Sequence, residues 1–116
     1  MRTIIAHCMI LTAGVANARQ HQSSGVGARS CAQFAEDYRQ NPGVTEQVYF
    51  SWAQGFMSGM NFALSSDDKL TYRDLNSSPA ETQKAFIRNY CNDHPLGYFV
   101  DAVPNLFNSL PPATTK

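Results

Sequence analysis

The sequence predicts an all-α fold: a small disulfide-linked orthogonal bundle of four helices, with room for one further short helix. Three observations predict it. Apolar residues recur at spacings of three and four through most of the stretch from Ser30 to Leu110, which is the helical period. Prolines stand where helices begin or end, at Asn41-Pro42-Gly43, Ser78-Pro79 and His94-Pro95. Two cysteines, Cys31 and Cys91, fall on the first and third of the segments so delimited, placed to tie them together.

Residues 1–18 read as a signal peptide. Met1-Arg2 supplies the charged start, Thr3 to Val15 the apolar run, and Ala16-Asn17-Ala18 the small-residue cleavage site. The run is too short to span a bilayer permanently, so no stable membrane insertion is expected after cleavage. A lipid anchor on Cys8 is set aside because His7 stands where a small residue is expected. Cleavage after Ala18 places the protein in the periplasm or the medium and leaves about 98 residues, a single domain with one modest core.

Residues 19–29 carry almost nothing apolar and are expected to form a flexible N-terminal lead, with His21 solvated inside it. The helical domain runs over 30–110. Its first helix starts at the N-cap Ser30, buries Cys31, Phe34, Ala35 and Tyr38, and stops at Asn41-Pro42-Gly43. The second, Val44 to Leu64, is the candidate hub. Thr45 can cap it, apolar residues cover well over half its circumference, and Ser51, Gly55, Gly59 and Ala63 form a stripe of small residues. Two interior glycines cost about 1 kcal/mol each relative to alanine, which suggests a backbone or ring in close approach. The same spacing occurs where membrane helices pair, but this segment is too polar for an unassisted span.

Leu70 to Leu75 has room for one short helical turn that returns Leu70, Tyr72 and Leu75 to the core. Ser78-Pro79-Ala80-Glu81 reads as a capping box that opens the third helix, with Gln83, Phe86, Ile87, Tyr90 and Cys91 inward and Lys84 and Arg88 outward. A fourth helix follows Pro95, capped by Asp93 or His94 and buried along Leu96, Phe99, Val100, Val103, Phe107 and Leu110; Pro104 should kink or end it near Val103. Residues 111–116 are expected to be a loose tail.

In an exported chain a cysteine pair is more simply a disulfide than a metal site, since two thiols do not complete a tetrahedral ligand set. Nine basic and nine acidic residues are interspersed without runs, so no nucleic-acid footprint is present. Phosphate loops, nucleophile elbows, zinc-binding His-Glu-x-x-His and Cys-x-x-Cys motifs are absent, and no cofactor or metal is expected. His94 would need a nucleophile and an orienting carboxylate such as Asp93 or Asp101; beside a helix-opening proline it reads as part of a cap. The chain is therefore not expected to be an enzyme. Its candidate contacts are aromatic anchors at Tyr49, Trp52 and Tyr90, and the uncharged arc of Gln54, Ser58 and Asn61 on the second helix.

Two stretches carry a family resemblance: Ser51-Trp52-Ala53-Gln54-Gly55-Phe56-Met57-Ser58-Gly59-Met60-Asn61, and Asn89-Tyr90-Cys91-Asn92-Asp93-His94-Pro95-Leu96. Together they resemble small exported proteobacterial helical proteins related to the Tai-type immunity proteins and the HdeA-type acid-stress chaperones. The resemblance implies a helical, disulfide-bonded, non-enzymatic periplasmic module that binds another protein, as an immunity or inhibitor-type protein does. The alternative it implies is an acid-stress chaperone. The expected assembly is a monomer or homodimer. The chain lacks the further cysteines of the first type and the lysine-rich charge pattern of the second, so no partner-binding residue carries over.

Overall fold

The computed structural model describes residues 23–67 and 71–114; the signal peptide expected over 1–18, His21 and Leu70 lie outside them. Four helices form the bundle: α1 (Cys31–Gln40), α2 (Pro42–Leu64), α3 (Ala80–Asp93) and α4 (Phe99–Ser109). Among the described residues, extended pairing is limited to two isolated bridges, Ser30 with Tyr98 and Arg73 with Pro112. The expected all-α fold is the observed one.

Ser30 caps α1 as expected. Its hydroxyl accepts the Gln33 amide at 3.1 Å, and the Gln33 side chain accepts the Ser30 amide at 2.9 Å. A single residue, Asn41, joins α1 to α2: its amide donates to Asp37 O and its side chain accepts from Val44 N. Pro42 then occupies the first turn of α2, where its missing N–H has no intrahelical bond to lose. Thr45 is consequently not the cap. It is buried one turn in, with Oγ1 donating to Asp37 O at 2.8 Å.

The Ser78–Glu81 capping box does not form. Pro79 stands at the N-cap of α3 with no side-chain acceptor to offer. The loop is held instead by the buried Gln83, whose amide donates to Leu75 O and Ser78 O, both at 2.9 Å. Lys84 and Arg88 do not point freely outward either. They lie across the faces of Phe50 and Tyr38, and Arg88 pairs with Glu46 of α2.

Helix α4 starts four residues later than Pro95, at Phe99, and runs unbroken through Pro104 to Ser109. An interior proline costs about 3 kcal/mol, but Leu106, Phe107 and Leu110 beyond it are each at most 4% exposed, and burial is worth roughly 1.5–3 kcal/mol apiece. Packing wins. The core centres on Phe34 of α1, Tyr49 of α2 and Phe99 of α4, whose ring centroids lie 4.8–5.4 Å apart. Helix α1 packs on α2 and α3, and α4 on α2 and α3, closing a ring of four contacts. The most enclosed helix is thus α4, with six buried residues, and α2 is a wall with one open side rather than the hub. Cys31 and Cys91 are bonded, with Cα atoms 4.8 Å apart, stapling the start of α1 to the end of α3.

Both ends of the domain are tied down further than the sequence suggests. Gly25–Ala28 forms a 3-10 turn packed on α2 and α4, so the expected flexible lead does not extend through residue 29. Gly25 takes φ +67, open to glycine at no steric cost, and Gly27 is buried under the Trp52 indole, whose Nε1 donates to Ser24 O at 3.1 Å. At the other end the expected loose tail is paired with the α2–α3 connection: Asp74 N donates to Pro111 O and Ala113 N to Tyr72 O, both at 2.9 Å. This pairing uses the backbone that the expected short helix at 70–75 would need, and residues 71–78 are extended and turn instead.

Candidate functional site

The sequence-derived candidates separate once placed. Tyr49 is 4% exposed and belongs to the core, so it is no partner anchor. Its hydroxyl donates to Asp37 Oδ2 at 2.7 Å, beside Arg29, whose guanidinium lies 3.1 Å from the same oxygen. Burial first, then the bond to Asp37 and its negative charge, push the Tyr49 hydroxyl up to about 12. Trp52 is half-buried, stacked on Phe56 and capped by Gly27, and is likewise structural.

Asn61 also leaves the candidate surface. Its amide brackets the backbone of Arg73, donating to Arg73 O and accepting from Arg73 N, both at 2.8 Å. Arg73 Nη1 in turn donates to Leu110 O at 2.9 Å, so Asn61 anchors the paired connection and tail. Gln54 and Ser58 remain exposed, the Ser58 hydroxyl turned back onto Gln54 O. Tyr90 is half-buried, stacks on His94 at 4.1 Å, and has its hydroxyl pKa raised by burial and then by the Asp101 charge. Of the six candidates, only neighbours Gln54 and Ser58 stay open and together.

His94 closes the C-terminus of α3, not the start of α4. Its amide donates to Tyr90 O at 3.0 Å and its Nδ1 lies 2.8 Å from the same carbonyl. No group of three or more His, Cys, Asp or Glu positioned to hold a metal occurs among the described residues. Nor is any described helix long and apolar enough to cross a membrane.

What the sequence did not single out is the next feature. His94, Pro95, Leu96 and Gly97 make a tight turn closed by Gly97 N donating to His94 O at 2.9 Å. Pro95 at the second position presets the backbone, and Leu96 at the third, having no positive φ, fits a type I turn. The stem is fixed on both sides. Cys31 N donates to Gly97 O at 2.8 Å, Phe99 N to Arg29 O at 2.9 Å, and the disulfide joins Cys31 to Cys91 just before the turn. Leu96 at its apex is 96% exposed, and Tyr98 beside it is 48% exposed. Leu96 was expected to lie on the buried line of α4. The signal against that was present: a leucine between proline and glycine lies on a turn, where helical spacing has no meaning.

The outer wall of α2 is the second open feature. Among the described residues, and apart from the helix's own backbone, no atom lies within 4 Å of where a Cβ at Gly55 or Gly59 would stand, so the small stripe is not the line of close approach expected of it. Val44, Val48 and Phe62 on the same face are 56%, 48% and 82% exposed. No family model, no curated protein and no solved structure matches the chain.

Proposed function

We propose that this is a non-enzymatic binding protein of the periplasm or extracellular medium that docks another protein through the His94–Gly97 turn, as an inhibitor or immunity-type protein does. The observation that carries it is Leu96, an almost fully exposed leucine on a turn whose stem is held by a disulfide and three backbone hydrogen bonds. A preordered turn loses little entropy on binding, so most of the Leu96 burial energy, roughly 1.5–3 kcal/mol, is available as affinity. Tyr98 adds an aromatic flank of the kind enriched at binding hot spots.

The test compares immobilised wild-type protein with Leu96→Asp against periplasmic extract and, once a partner is identified, by titration. The expected result is one stoichiometric partner whose affinity falls at least about thirtyfold in the variant. Its melting temperature should match wild type, because Leu96 touches no core residue. Equal capture by both proteins would refute the reading.

A second reading, an acid-stress chaperone, is favoured by the ionic ties between elements. Arg29–Asp37 holds the N-terminal turn to α1, and Arg88–Glu46 holds α3 to α2, so two junctions depend on a carboxylate charge. Acidification to about pH 2–3 is therefore the condition that tests it. Binding of a hydrophobic dye and suppression of client aggregation at that pH, absent at pH 7, are the expected signs; a protein that binds no dye in acid excludes it.

A further inference from the structure

The connection between α2 and α3 carries a motif that neither the fold nor the Leu96 turn uses. Asn76-Ser77-Ser78 is an Asn-x-Ser sequence with no proline at its centre, the acceptor pattern for N-linked glycans on surface loops of exported chains. No other asparagine of the chain is followed by serine or threonine two positions on. Asp74, two positions ahead of Asn76, completes the longer Asp-x-Asn-x-Ser form that bacterial periplasmic oligosaccharyltransferases select.

The structure gives the motif an open setting. Asn76 is exposed on a turn closed by Ser77 N donating to Asp74 O at 3.3 Å, the one main-chain bond that residues 75–78 donate among those described. Asp74 holds the turn from its near side, Oδ1 accepting from Asn76 N at 3.0 Å and its carbonyl from Ser77 Oγ at 2.7 Å. Gln83 anchors the far side through Leu75 O and Ser78 O. Pro79, at φ −56 and ψ 146, keeps the chain extended until α3 begins at Ala80, so the whole motif stays outside the helix. Neither the Asn76 carboxamide nor the Ser78 hydroxyl bonds to another described residue, and opening the turn disturbs no helix.

We propose that Asn76 is the acceptor of one N-linked oligosaccharide, added after export; the inference rests on the periplasmic or extracellular reading above. The donor is an oligosaccharide carried on a polyprenyl pyrophosphate. Asn76 Nδ2 bonds to C1 of the first sugar, the bond from C1 to the pyrophosphate oxygen breaks and its electron pair leaves with that oxygen, and Nδ2 gives up one proton. The products are a glycosyl amide and the lipid pyrophosphate, with nothing oxidised or reduced. An amide nitrogen shares its lone pair with the carbonyl and is a weak nucleophile, so the transferase supplies activation and this chain supplies access and the flanking Asp74 and Ser78. The turn precedes α3 and Leu96 lies past its end, so roughly 21 Å of helix, 14 residues long, separates the glycan from the Leu96 turn and leaves that turn open.

The test incubates the purified full chain, disulfide intact, with a bacterial oligosaccharyltransferase of the acidic-motif class, its divalent cation and its lipid-linked oligosaccharide. Intact mass should rise by one oligosaccharide, carried on the tryptic peptide from Asp74 to Lys84, whose single asparagine is Asn76. Asn76→Gln and Ser78→Ala should remain unmodified. Asp74→Asn keeps an acceptor oxygen for the Asn76 amide and should melt like wild type yet lose the glycan, which separates the carboxylate's part in recognition from its part in the turn. Ser77→Ala should still be modified, since the middle position of the motif is free to vary. The purified reaction does not depend on the chain's own leader, so failure here is distinct from failure of the export reading, which cell fractionation tests. An unmodified wild-type protein, or a glycan that persists in Asn76→Gln or in Asp74→Asn, would overturn the proposal.

Discussion

Substituting Gly27 by alanine should detach the N-terminal turn from the domain. A Cβ at Gly27 would stand 2.0 Å from Cζ2, 2.2 Å from Cη2 and 2.6 Å from Cε2 of Trp52, against the 3.5–4.0 Å of ordinary carbon contact. About 1.5 Å must therefore open between them. The indole is the less movable party, since it stacks on Phe56 at 5.2 Å and meets Phe99 edge-on at 6.1 Å. The Gly25–Ala28 turn lifts instead, and the hydrogen bond from Trp52 Nε1 to Ser24 O goes with it. Overpacking of this kind costs about 1–3 kcal/mol and the lost bond about 1 kcal/mol, so about 2–4 kcal/mol in all is expected. In a domain of this size that lowers the melting temperature by about 10–25 °C. Because Trp52 is the chain's only tryptophan, its fluorescence reports the event directly: emission should shift to the red while helix content barely changes. If the clash is the cause, the alanine should cost little in a Trp52→Leu background, where the ring is gone. A Gly27→Ala protein that melts and emits like wild type would refute the packing argument.

Other outcomes follow from the same structure. Gly55→Ala, with nothing within 4 Å to meet the new methyl, should stabilise the protein by about 1 kcal/mol in a chemical-denaturation series, the opposite sign to Gly27→Ala. Asn61→Ala leaves both Arg73 backbone groups without their side-chain partner and should cost about 1–3 kcal/mol, with amide exchange at Arg73, Asp74 and Ala113 rising before that of the core. Reducing the Cys31–Cys91 bond opens a 60-residue loop and should lower stability by about 4 kcal/mol on the chain-entropy model, measured as the difference between melts with and without reductant. The Tyr49 hydroxyl, pushed up to about 12 in the fold, ionises near 10 when unfolded, so the folded state holds the extra proton between those values. Stability should be unaffected by this group below about pH 10 and fall as pH rises through 12. The loss should be about 1–2 kcal/mol, since the bond from the hydroxyl to Asp37 is only partly buried and so partly screened, and Tyr49→Phe should abolish that slope.

Which parts of the fold were legible depends on the range of the forces that make them. Ser30 and Gln33 cap α1 as read, because a cap is satisfied within four residues, and Asn41-Pro42 breaks the chain for equally local reasons. The cysteine pair was legible from the chemistry of two thiols in a chain expected to be exported. Errors arose where a distant element decides. Counting the wide apolar arc of α2 as packed all round made it a hub, yet Val48 on that arc is 48% exposed: periodicity states only that apolar residues share a face and not that a neighbour exists to cover it. Asn61 looked like an open polar contact because its partner, the Arg73 backbone, lies twelve residues away across an extended connection with no pattern of its own. Gly27 gave no signal at all, since its role is fixed by a ring from another helix. Pro104 misled in the other direction: the local penalty is real, and the burial of Leu106, Phe107 and Leu110 exceeds it.

The position of the disulfide connects the readings of stability, compartment and binding. Cys31 and Cys91 are 1% and 4% exposed, but they do not simply close the core; they flank the stem of the turn that presents Leu96. Cys31 also donates its amide to Gly97 O, so the same residue holds the turn from one side by a covalent bond and from the other by a hydrogen bond. Without the staple, the turn is tied to the start of α1 by backbone hydrogen bonds alone, and more of its ordering falls at the moment of binding. On the proposed reading reduction therefore weakens partner binding more steeply than it weakens the fold, because the ordering cost falls on the contact itself. The effect of reductant on affinity at a temperature where the helices remain intact separates the two. An affinity that falls only in step with helix content would mean that the disulfide serves the fold and leaves the turn to order itself.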